Sequence, residues 1–249
     1  MRRLGAVETL GLLDTDTAVP GLGRIDGQVW RDRLTSPGRL EGLEQRLRMV
    51  EESGSVTLIP GDAQWTQALD DLGARAPYVL FARGATSILA RPMQDLVTVT
   101  GSRGASAYGE HVAAELAGDL ANHERVLVAG DTYEVEAAAH RAALSAGGDT
   151  IAVLAGGVDR PYPNGNRDLL DRVGDVGALV SELPPGSAPH AASVPGSLPT
   201  AGGHLSRDGG RGGRRTIGGM RVAAEAHQFG REVGAVPGPV TSVTSHGPH

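Results

Sequence analysis

From Leu96 onward the chain alternates short apolar runs with helix-like stretches, and this alternation constrains the fold more than any other feature. "LVTVT" leads to a predicted helix over Ser106–Asn122, and "RVLVAG" leads to one over Glu134–Ala146. "TIAVLAGG" leads through "VDRPYPNGN" to a helix over Arg167–Val173, and "ALVSEL" follows. A helix over Met220–Phe229 and the run "REVGAVPG" complete the pattern. Repeated βα units at this spacing specify an α/β fold, a Rossmann-like, doubly wound, mostly parallel sheet. With 40% hydrophobic but only 3% aromatic residues, the core must be Ala, Val and Leu, which suits parallel strands covered by alanine-rich helices. Ligands on such sheets sit at the carboxyl ends of the strands, where the glycine turns of this sequence fall.

Residues 1–55 read as a small helical N-terminal extension, with Leu40, Leu43, Leu47 and Val50 at helical spacing. Residues 56–249 read as the Rossmann-type domain. Within it, "TLIPGDAQWTQALDDLGARAPYVLFARG" predicts a strand, a turn, an amphipathic helix and a second strand. Residues 195–219 break the alternation: they are glycine-rich and nearly devoid of apolar runs, so a long loop is expected there rather than a packed strand.

Several classes of chemistry are excluded. There is no cysteine, hence no disulfide framework or thiolate nucleophile, and this fits a reducing, cytoplasmic setting. No apolar run approaches the ~20 residues of a membrane span, and "MRRLGAVETLGLL" reads as a helix rather than a leader. The sequence lacks G-x-S-x-G and H-E-x-x-H. It also lacks G-x-G-x-x-G with a ribose-binding acid, so no dinucleotide cofactor is indicated. "GGMRVAAE" shares Gly218, Gly219 and Glu225 with the P-G-G-x-G-T-x-x-E motif of phosphoribohydrolases, but the remaining motif positions differ. The net charge of −6 argues against a double-stranded DNA binder.

Gly101-Ser102-Arg103-Gly104, between a strand and a helix, is the best candidate anion site. Backbone N–H groups at a helix start favour a phosphate, and Arg103 and Ser102 add donors. The plain alternative is a tight turn with a solvated arginine. Asp131, Glu134 and Glu136 crowd the next turn. A carboxylate about 8 Å from a phosphate costs roughly 2 kcal/mol at an effective dielectric of ~20, so that turn opposes its neighbour. His140 reads as a packed helical residue. Arg211, Arg214 and Arg215 form a basic tract able to follow a nucleic-acid backbone, or simply a solvated loop. Tyr108, Tyr133 and Tyr162 fall near the predicted ligand edge.

The ordered stretches "IPGDAQWTQALDDLGARAPYVLFARG", "VTVTGSRGASAYG", "AAAHRAALSAGGDTIAVLAGGVDRPYPNGN", "ALVSELPPG" and "GREVGAVPGPVTSVTSHGP" together resemble the DNA-processing protein A family (DprA/Smf), in particular its actinobacterial or phage-borne members. The resemblance implies a non-enzymatic, cofactor-free, cytoplasmic homodimer. Such a protein binds single-stranded DNA and presents it to a RecA-type recombinase, in DNA uptake and transformation, phage recombination or repair. Gly101, Ser102 and Arg103 match the family's G-S-R, and Gly130 lies in its second turn. With Arg214 and Arg215 these are the expected nucleic-acid-binding residues. Gly156, Gly157, Asp159, Tyr162 and Pro163 match a G-x-D-x-x-Y-P turn.

The sequence departs from the family pattern at two places. The second turn, usually S-G-x-A-x-G-I-D, reads Ala129 to Glu136, with acidic Asp131 and Glu134 in place of small residues and Glu134 at the second glycine of the pattern. The R-N-R-I-I-A-G-L-S stretch reads "LPTAGGHLS", without the arginines. The winged helix that follows in many relatives is not expected. The departures keep two other readings open: a Rossmann-type sensor of a nucleotide-derived ligand, and a remnant partner-binding protein.

Overall fold

The computed structural model describes residues 12, 18–20, 23–34, 37–101, 104–189, 202–206 and 217–237. The chain forms two compact units, residues 1–53 and 54–249. The first contains helices α1 (Arg24–Leu34) and α2 (Pro37–Glu52). In it Val50 is buried, and Arg31 Nε donates to the carbonyl of Leu12 at 2.7 Å.

The second unit contains β1 (Val56–Leu58), β2 (Leu80–Gly84), β3 (Leu96–Gly101), α3 (Ala107–Asn122), β4 (Val126–Gly130), α4 (Val135–Ser145), β5 (Thr150–Val153), α5 (Arg167–Val176), β6 (Ala178–Ser181), β7 (Gly202–Ser206), α6 (Ile217–Gln228) and β8 (Glu232–Val236). The strands form one eight-stranded sheet in the order β1-β2-β6-β5-β4-β3-β7-β8. β3 to β8 are mutually parallel, while β2 runs antiparallel to both β1 and β6. The mostly parallel, doubly wound sheet expected from the βα alternation is therefore present.

Alternation along β4 divides the core. Leu127 faces α3 and α4, packing with Val99, Ala113, Ala117, Val135, Ala139 and Ala143. Val126 and Val128 face the other way, packing with Ile151, Val180, Trp65, Leu69, Leu72 and Leu89. Alanines on the facing turns of α3 and α4 let two helices lie close over short strands, so a core this poor in aromatics still fills its volume.

Two expectations are corrected. The amphipathic stretch after Thr66 forms 3-10 turns over Gln67–Arg75, broken at Gly73, rather than an α-helix. Leu69 and Leu72, three apart, stack on one side of a 3-10 turn. The second correction concerns residues 195–219, expected to be a loop. They contain β7, a strand inside the sheet, paired over five residues with β3 and over five with β8. Its sequence, Gly-Gly-His-Leu-Ser, carries little apolar signal. The strand is placed by its main-chain ladders to both neighbours, and those hydrogen bonds do not depend on side chains.

Candidate nucleic-acid interface

The six parallel strands all end on one edge of the sheet. There the direction of winding reverses between β3 and β7, because β4, β5 and β6 step away on one side and β8 lies on the other. A crevice at such a switch point is where open α/β sheets hold ligands. Gly101, the last residue of β3, is paired with Ser206, the last of β7. The connection leaving β3 carries Ser102 and Arg103, and the one leaving β7 carries Arg211, Arg214 and Arg215. Ser102, Arg103, Arg214 and Arg215 lie outside the described residues, whereas Gly101 and Gly130 lie within them.

The turn after β3 ends in a capped helix. Ser106 Oγ accepts from the Gly109 N–H at 3.3 Å, fixing the start of α3, as a serine N-cap does. Both glycines sit under side chains of α4. A Cβ on Gly101 would lie 2.7 Å from Val135 Cγ2, and one on Gly130 would lie 2.7 Å from Glu136 Oε2. Close approach of α4 to the end of β3 therefore requires glycine at position 101, while a methyl group at position 130 would press on the Glu136 carboxylate.

The three carboxylates of the second turn do not form the acidic rim that the sequence suggests. Glu136 is buried and turned inward. It accepts from Thr100 Oγ1 at 2.7 Å, from the Thr132 N–H at 3.2 Å, and from the Thr132 hydroxyl. It thereby ties the end of β3 to the turn after β4, each bond to a charged acceptor contributing about 1.5–3 kcal/mol. Asp131 is also buried, and its Oδ2 accepts from the Ala155 N–H at 3.0 Å beyond β5. Glu134 reaches the turn after β3, where its Oε2 accepts from the Ala105 N–H at 3.4 Å. Its backbone has φ of 68°, in the left-handed region that favours glycine. This is the position where the family pattern has glycine.

His140 is fully buried beneath this edge. Nε2 donates to the Gly130 carbonyl at 3.0 Å, so Nδ1 accepts from the Thr150 hydroxyl at 2.7 Å. Burial, less an offset from the Gly130 bond and aided by Arg141, lowers its pKa to about 4.

Asn166 was not legible as a site residue, because nothing in "PNGN" marks it. It is buried, and its Nδ2 donates to the carbonyls of Asp131 at 3.2 Å and Thr132 at 3.0 Å. It latches the turn after β4 to the turn before α5. Asp159 plays a similar part, accepting from the Gly186 N–H at 2.8 Å and joining the loops that follow β5 and β6. Among the described residues no three His, Asp or Glu side chains converge on a metal position.

Comparison with known proteins agrees with this architecture. A family model described as DNA recombination-mediator protein A matches residues 56–196. The chain is 41% identical over 238 residues to a Mycobacterium tuberculosis sequence bearing the DNA processing protein DprA name, covering 90% of this chain and 60% of that one. It is 30% identical over 230 residues to the DNA processing protein DprA of Bacillus subtilis, covering 88% and 75%. The X-ray structure of DNA processing protein A from Streptococcus pneumoniae superposes with a TM-score of 0.72 at 27% identity, over 91% of this chain and 75% of that one. The structure of the Helicobacter pylori protein, described for its single-stranded DNA binding mode, gives 0.63 at 22% identity over 76% and 83%, and shows the same fold. The chain spans about 60% of the Mycobacterium relative. By its family model, its relatives and its fold, this chain belongs to the DNA processing protein A (DprA/Smf) family of recombination mediators, a family not known for enzymes.

Proposed function

We propose that this chain binds single-stranded DNA without sequence preference at the β3/β7 switch point and presents it to a RecA-type recombinase. We propose further that it works in the cytoplasm as a homodimer, in DNA uptake and recombination. The observation that carries the reading is the pairing of Gly101 with Ser206. In sequence, Arg103 follows Gly101 by two residues and Arg211 follows Ser206 by five, so both basic segments belong to connections that begin at adjacent strand ends. Asp131 and Glu136 are occupied by hydrogen bonds to Ala155, Thr100 and Thr132, so neither carboxylate stands open to solvent at that edge. The Helicobacter pylori structure is one of a protein with a single-stranded DNA binding mode. Among the described residues no helix is long and apolar enough to cross a membrane.

The test is fluorescence anisotropy with a labelled oligo-dT at two salt concentrations. Binding should weaken with salt, with a log–log slope of about −0.7 for each phosphate neutralised on a single strand. Arg103→Ala should weaken it strongly and make the slope shallower. Binding that Arg103→Ala leaves unchanged removes that residue from the site, and no binding by the natural chain removes the function.

A further inference from the structure

We propose that the four tyrosines of this chain form a track on which nucleobases stack, leading away from the switch point along the carboxyl edge of the sheet. The proposal rests on the single-stranded DNA reading above and specifies how the bases, rather than the phosphates, are held.

The chain has only four tyrosines, two tryptophans and two phenylalanines. Trp65 and Phe81 are buried, whereas all four tyrosines are exposed: Tyr78 at 42%, Tyr108 at 41%, Tyr133 at 48% and Tyr162 at 54%. The topology brings all four to one edge. Tyr108 follows β3, Tyr133 follows β4 and Tyr162 follows β5. Tyr78 precedes β2, and because β2 is antiparallel to β6, with Phe81 opposite Ser181, its start lies at the end of β6. In sheet order the tyrosines therefore belong to β3, β4, β5 and β2, with β6 between the last two. At about 4.8 Å per strand, four strand intervals span roughly 19 Å. The opposite edge is different in kind. Its described turns carry Arg91, Asp95, Glu124, Arg125, Asp149 and Asp175, and their one aromatic side chain, Phe229, packs against the core with the Arg75 guanidinium over its ring.

Tyr133 is held in place for such a role. Its hydroxyl accepts from the Gly165 N–H at 3.2 Å, and a Cβ on Gly165 would lie 2.8 Å from that oxygen and 3.0 Å from Cε1. Gly165 thus seats the hydroxyl end of the ring while about half of the residue remains open to solvent. Asn166 holds the backbone on either side of Thr132. A ring fixed in advance loses little freedom when a base stacks on it, and every base has a π-face, so the contact carries no sequence preference.

The experiment compares oligo-dT with an abasic strand of the same length by anisotropy, for the natural chain and for Tyr78→Ala, Tyr133→Ala, Tyr162→Ala and Tyr133→Phe. The natural chain should prefer oligo-dT. Each alanine variant should lose roughly 5- to 150-fold on oligo-dT, the range for one stacked base, and nothing on the abasic strand. Tyr133→Phe should bind nearly as the natural chain does. Equal binding of both strands by the natural chain, or alanine variants that all keep natural affinity for oligo-dT, overturns the track. In those cases salt-dependent binding would leave the single-stranded DNA reading standing. A natural chain that binds neither strand overturns both.

Discussion

His140 makes the stability of this protein depend on pH in a direction fixed by the structure. The imidazole has a pKa near 6.5 in an unfolded chain and about 4 when folded, because protonation would place a charge in a buried site. The unfolded chain therefore takes up the proton first as pH falls. The stability contributed by a neutral His140 is complete above 6.5 and is lost between 6.5 and about 4. The full difference of about 2.5 pKa units corresponds to about 3 kcal/mol, and by pH 5 about 2 kcal/mol has already gone. The site offers little relief. Nδ1 already faces the Thr150 hydroxyl, and the remaining contact is the Gly130 carbonyl. Other groups titrate in the same range, so the natural chain must be compared with His140→Gln. The assay is urea unfolding followed by circular dichroism at pH 7.5, 6, 5 and 4. The gap between the two proteins should shrink, or reverse, by about 2 kcal/mol between pH 7.5 and 5. A gap that stays constant across this range would refute the argument that burial holds the imidazole neutral.

Two further outcomes follow from the turn after β4. Glu134→Gly removes a left-handed strain of about 1–3 kcal/mol, less the 0.4–1 kcal/mol that glycine adds to unfolded-chain freedom. A net gain of about 1 kcal/mol should raise melting by about 2–4 °C, and oligo-dT affinity should rise as a carboxylate leaves the Ala105 amide. A fall in melting temperature would mean that the bond to Ala105 outweighs the strain. Gly130→Ala forces a methyl group against Glu136 Oε2 and should cost about 1–3 kcal/mol in urea unfolding. An unchanged midpoint would show the carboxylate to be free to move.

The strands β3 to β6 and the helices between them were legible because each carries its own signal, a continuous apolar run or alanines at helical spacing. β7 was not, since its position comes from two neighbouring backbones rather than from its own side chains. The same contrast holds at the site. The Gly101 and Gly130 turns could be read from local spacing. The directions of Asp131 and Glu136 could not, because their partners, Ala155 and Thr100, lie 24 and 36 residues away in sequence. Tyr78 was missed at the ligand edge for a topological reason, the antiparallel run of β2.

β7 also has a consequence for how the molecule forms. β1 to β6 precede it in the chain and make a continuous block, β1-β2-β6-β5-β4-β3, in which β3 is an edge strand. Until the chain through Ser206 has been made and docked, the outer side of β3 presents unpaired main-chain groups beside Val97 and Val99. An open edge of that kind is a template for a strand from another molecule. Two of the five residues of β7 are glycines, with no side chain to add to that competition. Refolding yield should therefore fall with protein concentration more steeply than the stability of the finished sheet would suggest. Slow arrival of a weak strand makes crowding during synthesis, rather than heat, the hazard this fold has to survive.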